Sequence, residues 1–244
     1  MNRGVYTGAT GLRTMQQWLD VTANNLANST TTGYKRDGFA FAEAMERVMA
    51  SNGGDGRILG SIGNGAVPVA EFTIFDRGTV STTGNPLDLA IDSPRGWFAV
   101  DRGGQTMYTR AGNFTLDAQR QIVDVSGNPV LDRRGNPITV PQGQIEISQT
   151  GAVSVGGRQV AEIAIYDGQM AKVGSSLYRA VGNPLLLDTR DVLVRQGALE
   201  QSNVNPVESM INLITIGRTF EISQKSITQQ DELTQRLIQS LSER

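Results

Sequence analysis

The chain has 244 residues, 39% of them hydrophobic, enough for one large core or two modest ones. Its 22 Lys and Arg stand against 24 Asp and Glu, a net charge of -2, so no basic excess exists to neutralise a nucleic-acid backbone. It has no Cys and no His, which removes disulfides, thiolate nucleophiles, zinc-thiolate sites and the usual near-neutral general base.

The N-terminal segment carries Val5, Gly8, Leu12, Met15, Leu19, Thr22 and Leu26 at alternating steps of three and four. That spacing predicts a helix with a heptad-like seam, ending at Asn28 and followed by a loop over 29–33. Met1 to Leu12 holds only isolated apolar residues, which does not fit a secretory leader. No run approaches the ~20 apolar residues of a membrane span, so membrane insertion is not expected.

Phe39 to Met49 is compatible with a short helix, and the Gly-rich stretch 51–65 predicts a flexible loop. From 72 to about 199 the pattern is β. Trp97-Phe98-Ala99-Val100 and Thr106-Met107-Tyr108-Thr109 flank a turn, as in a hairpin. Residues 144–148 alternate cleanly. Residues 152–155, the pair Gly156-Gly157 and residues 160–166 predict a second hairpin. Because neighbouring strand residues point to opposite faces, only one of Trp97 and Phe98 is expected in the core. Gly-Asn-Pro recurs at Gly84, Gly127, Gly135 and Gly182 with irregular spacing, as shared turn chemistry and not as a repeat.

The C-terminal helix has a marked start, with Asn205 as N-cap, Pro206 at the first helical position and Glu208 at the capping-box position. Leu213, Ile216, Phe220, Ser223, Ile227, Gln230, Thr234, Leu237 and Leu241 follow at steps of three and four. This seam is half polar, which suits packing among several helices better than burial in one domain. The expected fold class is α+β: terminal helices paired in a coiled-coil-like domain (1–33 with 202–244), a linker and loop (34–71), and a β-rich domain (72–201).

Candidate chemistry is sparse. Asp101, Asp117, Asp124 and Asp132 fall at turns, which Asp favours, without calcium-loop spacing. The 51–65 loop lacks the Lys-Ser/Thr of a phosphate cradle, and Arg133-Arg134 reads as a solvated turn. Asn24, Asn25 and Asn28 read as helix-end amides. No catalytic, metal or cofactor residue is assigned. A secreted wall-active hydrolase remains the alternative class; it would need two carboxylates across a cleft.

Three blocks then carry a resemblance. Ala23-Asn24-Asn25-Leu26-Ala27-Asn28 with Thr31, Gly33, Tyr34 and Lys35 resembles the N-terminal signature of the flagellar rod and hook family. Gly96 to Val100 with Tyr108 to Phe114 resembles that family's G-(F/W)-F-x-V and Y-T-R-x-G-x-F block. Gly197 to Asn205 with Phe220-Glu221 resembles its C-terminal run. Length and middle domain are most similar to the FlgF and FlgG types of the proximal and distal rod. Trp97 and Ala99 lean toward the former; residues 62–67 and 78–80 also resemble the latter.

The resemblance implies a self-assembling, torque-transmitting axial subunit in the periplasm-spanning rod of the basal body. It also implies export through the flagellar type III apparatus without a cleaved leader. Its partners would be copies of itself and other flagellar axial proteins, and hook or junction proteins share the same terminal signatures. The assembly interface expected on this basis comprises Leu12, Met15, Leu19, Asn24, Asn25, Leu26, Asn28, Leu213, Ile216, Phe220, Ile227, Leu237 and Leu241.

Overall fold

The computed structural model describes residues 3–43, 47–50, 58–62, 66–174, 176–188, 190–191 and 193–242. The chain divides into two compact units, one from Met1–Leu26, Asp37–Phe72 and Asn205–Arg244, the other from Ala27–Arg36 and Thr73–Val204.

The first unit is built on two helices, α1 (Arg3–Ala27) and α2 (Pro206–Ser242). Within α1 the hydroxyls of Thr10, Thr14 and Thr22 are satisfied by donating to carbonyls three or four residues back, on Thr7, Thr10 and Trp18. Two contacts between predicted seam positions join the helices. A Cβ on Gly8 would lie 2.7 Å from Ile227 Cδ1, so the missing side chain permits the close approach. Ser223 Oγ reaches Met15 Sδ at 4.0 Å. These contacts advance along α1 as they retreat along α2, so the pair is antiparallel. At the start of α2, Asn205 Oδ1 accepts hydrogen bonds from the amides of Val207 and Glu208, as a capping residue should.

The same unit contains β1 (Asp37–Glu43), β2 (Arg47–Ala50), β3 (Ile58–Ile62) and β4 (Ala66–Thr73). β1 pairs with β4, and β2 pairs antiparallel with β3. The short helix expected over Phe39–Met49 is therefore replaced by strand at 39–43 and 47–49; residues 44–46 lie outside the described residues. Phe39 and Phe41, two residues apart, meet with tilted rings at 6.0 Å, and Phe41 also meets Trp18 at 5.7 Å. A two-residue period places both rings on one face only in an extended chain. The loop expected at 51–65 is interrupted by β3; the remainder of it lies outside the described residues.

The second unit is β throughout: β5 (Val80–Thr82), β6 (Leu89–Ile91), β7 (Trp97–Asp101), β8 (Thr106–Thr109), β9 (Thr115–Leu116), β10 (Ile122–Val123), β11 (Ile145–Ile147) and β12 (Ala152–Val155) are followed by seven more. These are β13 (Arg158–Glu162), β14 (Ile165–Asp167), β15 (Met170–Lys172), β16 (Tyr178–Ala180), β17 (Leu185–Leu186), β18 (Val194–Gln196) and β19 (Ala198–Glu200). The largest sheet has the order β15-β16-β8-β7-β14-β17. β7 and β8 form the expected hairpin, with Phe98 opposite Thr109.

This sheet is covered on both faces. Phe98 and Val100 join a cluster with Met107, Phe114, Ile122 and Ile165, whereas Trp97 and Ala99 join another with Tyr108, Met170 and Tyr178. Alternation along β7 holds, but both Trp97 (5% exposed) and Phe98 (0%) are buried, because each face has its own core. The second predicted hairpin is realised only in part. Gly156 and Gly157, at φ 58° and 80°, turn β12 into β13. The strand then breaks at Ile163-Ala164, and β14 continues in the large sheet.

The four Gly-Asn-Pro glycines all have φ between 79° and 88°, the left-handed region where a Cβ is strained. The predicted turn aspartates act as acceptors. Asp101 takes the Gly104 amide, Asp117 that of Gln121, Asp124 those of Ser126 and Asn128, and Asp132 those of Arg134 and Asn136. Arg133 is not merely solvated: its guanidinium lies 3.5 Å from Glu162 and donates to the Leu187 carbonyl.

Candidate functional site

Burying a charge requires a partner, so fully buried charged side chains mark places where the fold is over-determined. Three such residues meet in the second unit: Lys35 (1% exposed), Arg110 (3%) and Glu200 (0%). Lys35 Nζ lies 2.6 Å from Glu200 Oε1, and Arg110 Nη1 lies 3.3 Å from Glu200 Oε2. Lys35 also donates to the Asp76 carbonyl, and the Gly78 amide donates to Glu200 Oε1. Arg110 donates to the carbonyls of Ser93 and Pro94 and lies over the Trp97 ring, 5.2 Å from its centroid. Burial pushes the Lys35 ammonium below its ordinary pKa, and Glu200 opposes that shift. Two cations therefore share one carboxylate whose oxygens are both engaged. The arrangement ties chain segments together and offers no free base.

The backbone around the cluster is equally tight. The Gly33 amide donates to the Glu200 carbonyl at 2.8 Å. Gly33 has φ 66°, and a Cβ there would lie 2.3 Å from Ala111 N. Tyr34 is fully buried, with Lys172 Nζ 3.8 Å from its ring centroid. Asn203 accepts from the Arg36 amide and donates to the carbonyls of Ile74 and Asp76. Its single side-chain amide thus holds the three stretches of the unit adjoining residues 37, 73 and 205.

The residues expected at an assembly interface lie elsewhere, and their exposure rises along α2. Leu12, Met15, Leu19, Leu26 and Asn28 are half-buried. Asn24 is exposed, while Asn25 is buried and bonds both backbone groups of Asp37. On α2, Ile216 is 2% exposed, Leu213, Phe220 and Ile227 are half-buried, and Leu237 and Leu241 are 64% and 74% exposed. Motif spacing did not single out the ion cluster. A signal was nevertheless present: Lys35 and Arg110 are the charged residues of their blocks, and Glu200 is one of two in the third, with Glu221.

Family comparison divides the chain in the same way. Residues 5–35 match the flagella basal body rod protein model, 90–155 the flagellar hook protein FlgE/F/G D1 domain, and 195–240 the flagellar basal body rod FlgEFG protein C-terminal region. The flagellar basal-body rod protein FlgG of Bacillus subtilis is 33% identical, covering 98% of both chains. The rod protein FlgF of Caulobacter vibrioides is 31% identical, over 99% of this chain and 98% of its own. The chain belongs to the flagellar basal-body rod protein family. Each matched segment of this rod-family chain contributes one member of the ion cluster: Lys35, Arg110 and Glu200.

Proposed function

We propose that the chain is a structural subunit of the flagellar basal-body rod, polymerising through its terminal helices. The observation that carries this is the apolar surface of α2 from Ile222 onward. Ile222, Leu233, Leu237, Ile238 and Leu241 are each at least 60% exposed on a helix of 37 residues. So long an apolar surface is suited to neighbouring helices, from copies of itself or other axial proteins. On this reading segments 1–33 and 202–244 form the polymerising part, and 72–201 the outer β-rich layer. Subunits reach the rod through the flagellar type III apparatus and transmit torque without catalysis. Family membership supports the rod assignment.

The test is a clean deletion with basal bodies imaged by electron cryotomography, complemented by the wild-type gene or by Leu237→Asp. Truncated rods without filaments are expected from the deletion and from the Asp variant. Complete flagella in the deletion would remove the rod assignment; wild-type assembly by the variant would remove the role of the helix surface.

A further inference from the structure

The ion cluster is assembled from segments far apart in sequence: Lys35 and Glu200 are separated by 165 positions and Arg110 and Glu200 by 90. Undocking the 197–204 segment would leave Lys35 and Arg110, both buried cations, without their shared carboxylate. Undocking 33–36 would remove from Glu200 its shorter ion pair and the Gly33 amide on its carbonyl. In a low-dielectric interior, half-closed states of this kind are far less favourable than either the complete cluster or one open to water.

Backbone shape reinforces the charge pairing. Glycine at 33 admits the Arg110-Ala111 backbone, and glycine at 78 lies where a Cβ would be 1.9 Å from the Gln201 carbonyl oxygen. β5 pairs with β19, placing Val80 opposite Glu200, and Asn203 joins Arg36, Ile74 and Asp76. The same four segments thus interlock by ion pair, by backbone approach and by a shared amide.

We infer that segments 33–36, 74–80, 110–112 and 197–204 form an all-or-none latch. They dock together or open together, and the β-rich unit closes only when the 197–204 segment arrives. A chain threaded or synthesised only to about residue 195 holds two cations with no carboxylate and leaves the unit open. The latch is a property of the monomer, so its test stands apart from that of rod assembly.

The test is native-state hydrogen exchange on the full-length protein in increasing sub-denaturing urea. The amides of Gly33, Arg36, Ile74 and Gly78 should converge on one opening free energy. If Gly33 and Arg36 open independently of Gly78, the latch does not exist. In Glu200→Gln, exchange at all four should accelerate together by roughly a hundredfold or more. Adding Lys35→Met should return part of that protection by removing one uncompensated cation; a further loss would show that charge pairing does not close the latch. Should Glu200→Gln fail to fold, the wild-type exchange pattern alone decides.

Discussion

The helical unit and the β-rich unit spend their apolar residues differently. On α2, Met210, Ile211, Ile214, Ile222, Leu233, Leu237, Ile238 and Leu241 are all more than half exposed. In the β-rich unit, Leu89, Phe98, Val100, Phe114, Ile122, Ile138 and Ile165 are at most 2% exposed, and charged groups are buried among paired partners. One region is closed on itself, with both faces of its main sheet covered. The other keeps much of its apolar surface outside any fold of a single chain. The contrast separates a body whose stability is internal from helices whose stability depends on what packs against them.

The chain's two tryptophans allow this contrast to be measured, because Trp18 lies on α1 and Trp97 on β7. With either replaced by Phe, urea unfolding followed by fluorescence reports on the other's unit. The largest shift is expected from Glu200→Gln, which should lower the stability of the β-rich unit by about 3–5 kcal/mol. The Trp18 transition should move less; equal shifts would show that the two units unfold as one. Ile216→Ala comes next, costing about 2–5 kcal/mol in the helical unit because Ile216 is among the few buried apolar residues of α2. A change confined to the Trp97 transition would contradict that placement.

Asn205→Ala should cost about 1 kcal/mol and reduce helicity by circular dichroism, through loss of the cap. Acid sensitivity belongs to the other unit. The hydrogen bond from Arg77, aided by Arg195, holds the Asp92 carboxyl below the usual carboxylate range. A depressed carboxyl contributes its full stability above the ordinary carboxylate range and loses it as pH falls through its folded value. Asp92→Asn should therefore lower the Trp97-monitored stability most at neutral and alkaline pH and flatten its acid limb, the two curves converging as pH falls through the folded carboxyl's range; equal losses at acid and alkaline pH would contradict it. Smallest of all, Leu237→Ala should change monomer stability by no more than about 0.5 kcal/mol. Its effect should appear only in assembly, as reduced swarming; a large loss in the monomer would mean that the outer half of α2 is already packed.

Much of this architecture was legible locally. The Asn205-Pro206 start of α2, the seam positions Gly8, Met15, Ser223 and Ile227, the β7–β8 hairpin and the Gly-Asn-Pro turns each depend on residues within a few positions of one another. Three features were not legible. β1 was open to a helical reading because its partner, β4, begins 29 positions after β1 starts. The break between β13 and β14 lies where the chain changes sheets, β13 pairing with β12 and β14 with β7 and β17, which no local pattern marks. The burial of Trp97 and Phe98 together required knowing that both sheet faces are covered.

By itself, then, the sequence determined the two terminal helices, the β character of the stretch between 72 and 199, the start of α2, the turns and the three family blocks, since backbone propensity and hydrophobic period act over short range. Only the tertiary structure decided that Lys35, Arg110 and Glu200 meet, and that their charges close on one another instead of facing water. Ion pairing and burial depend on distance in space, and separations of 90 and 165 residues leave no periodic trace in the chain.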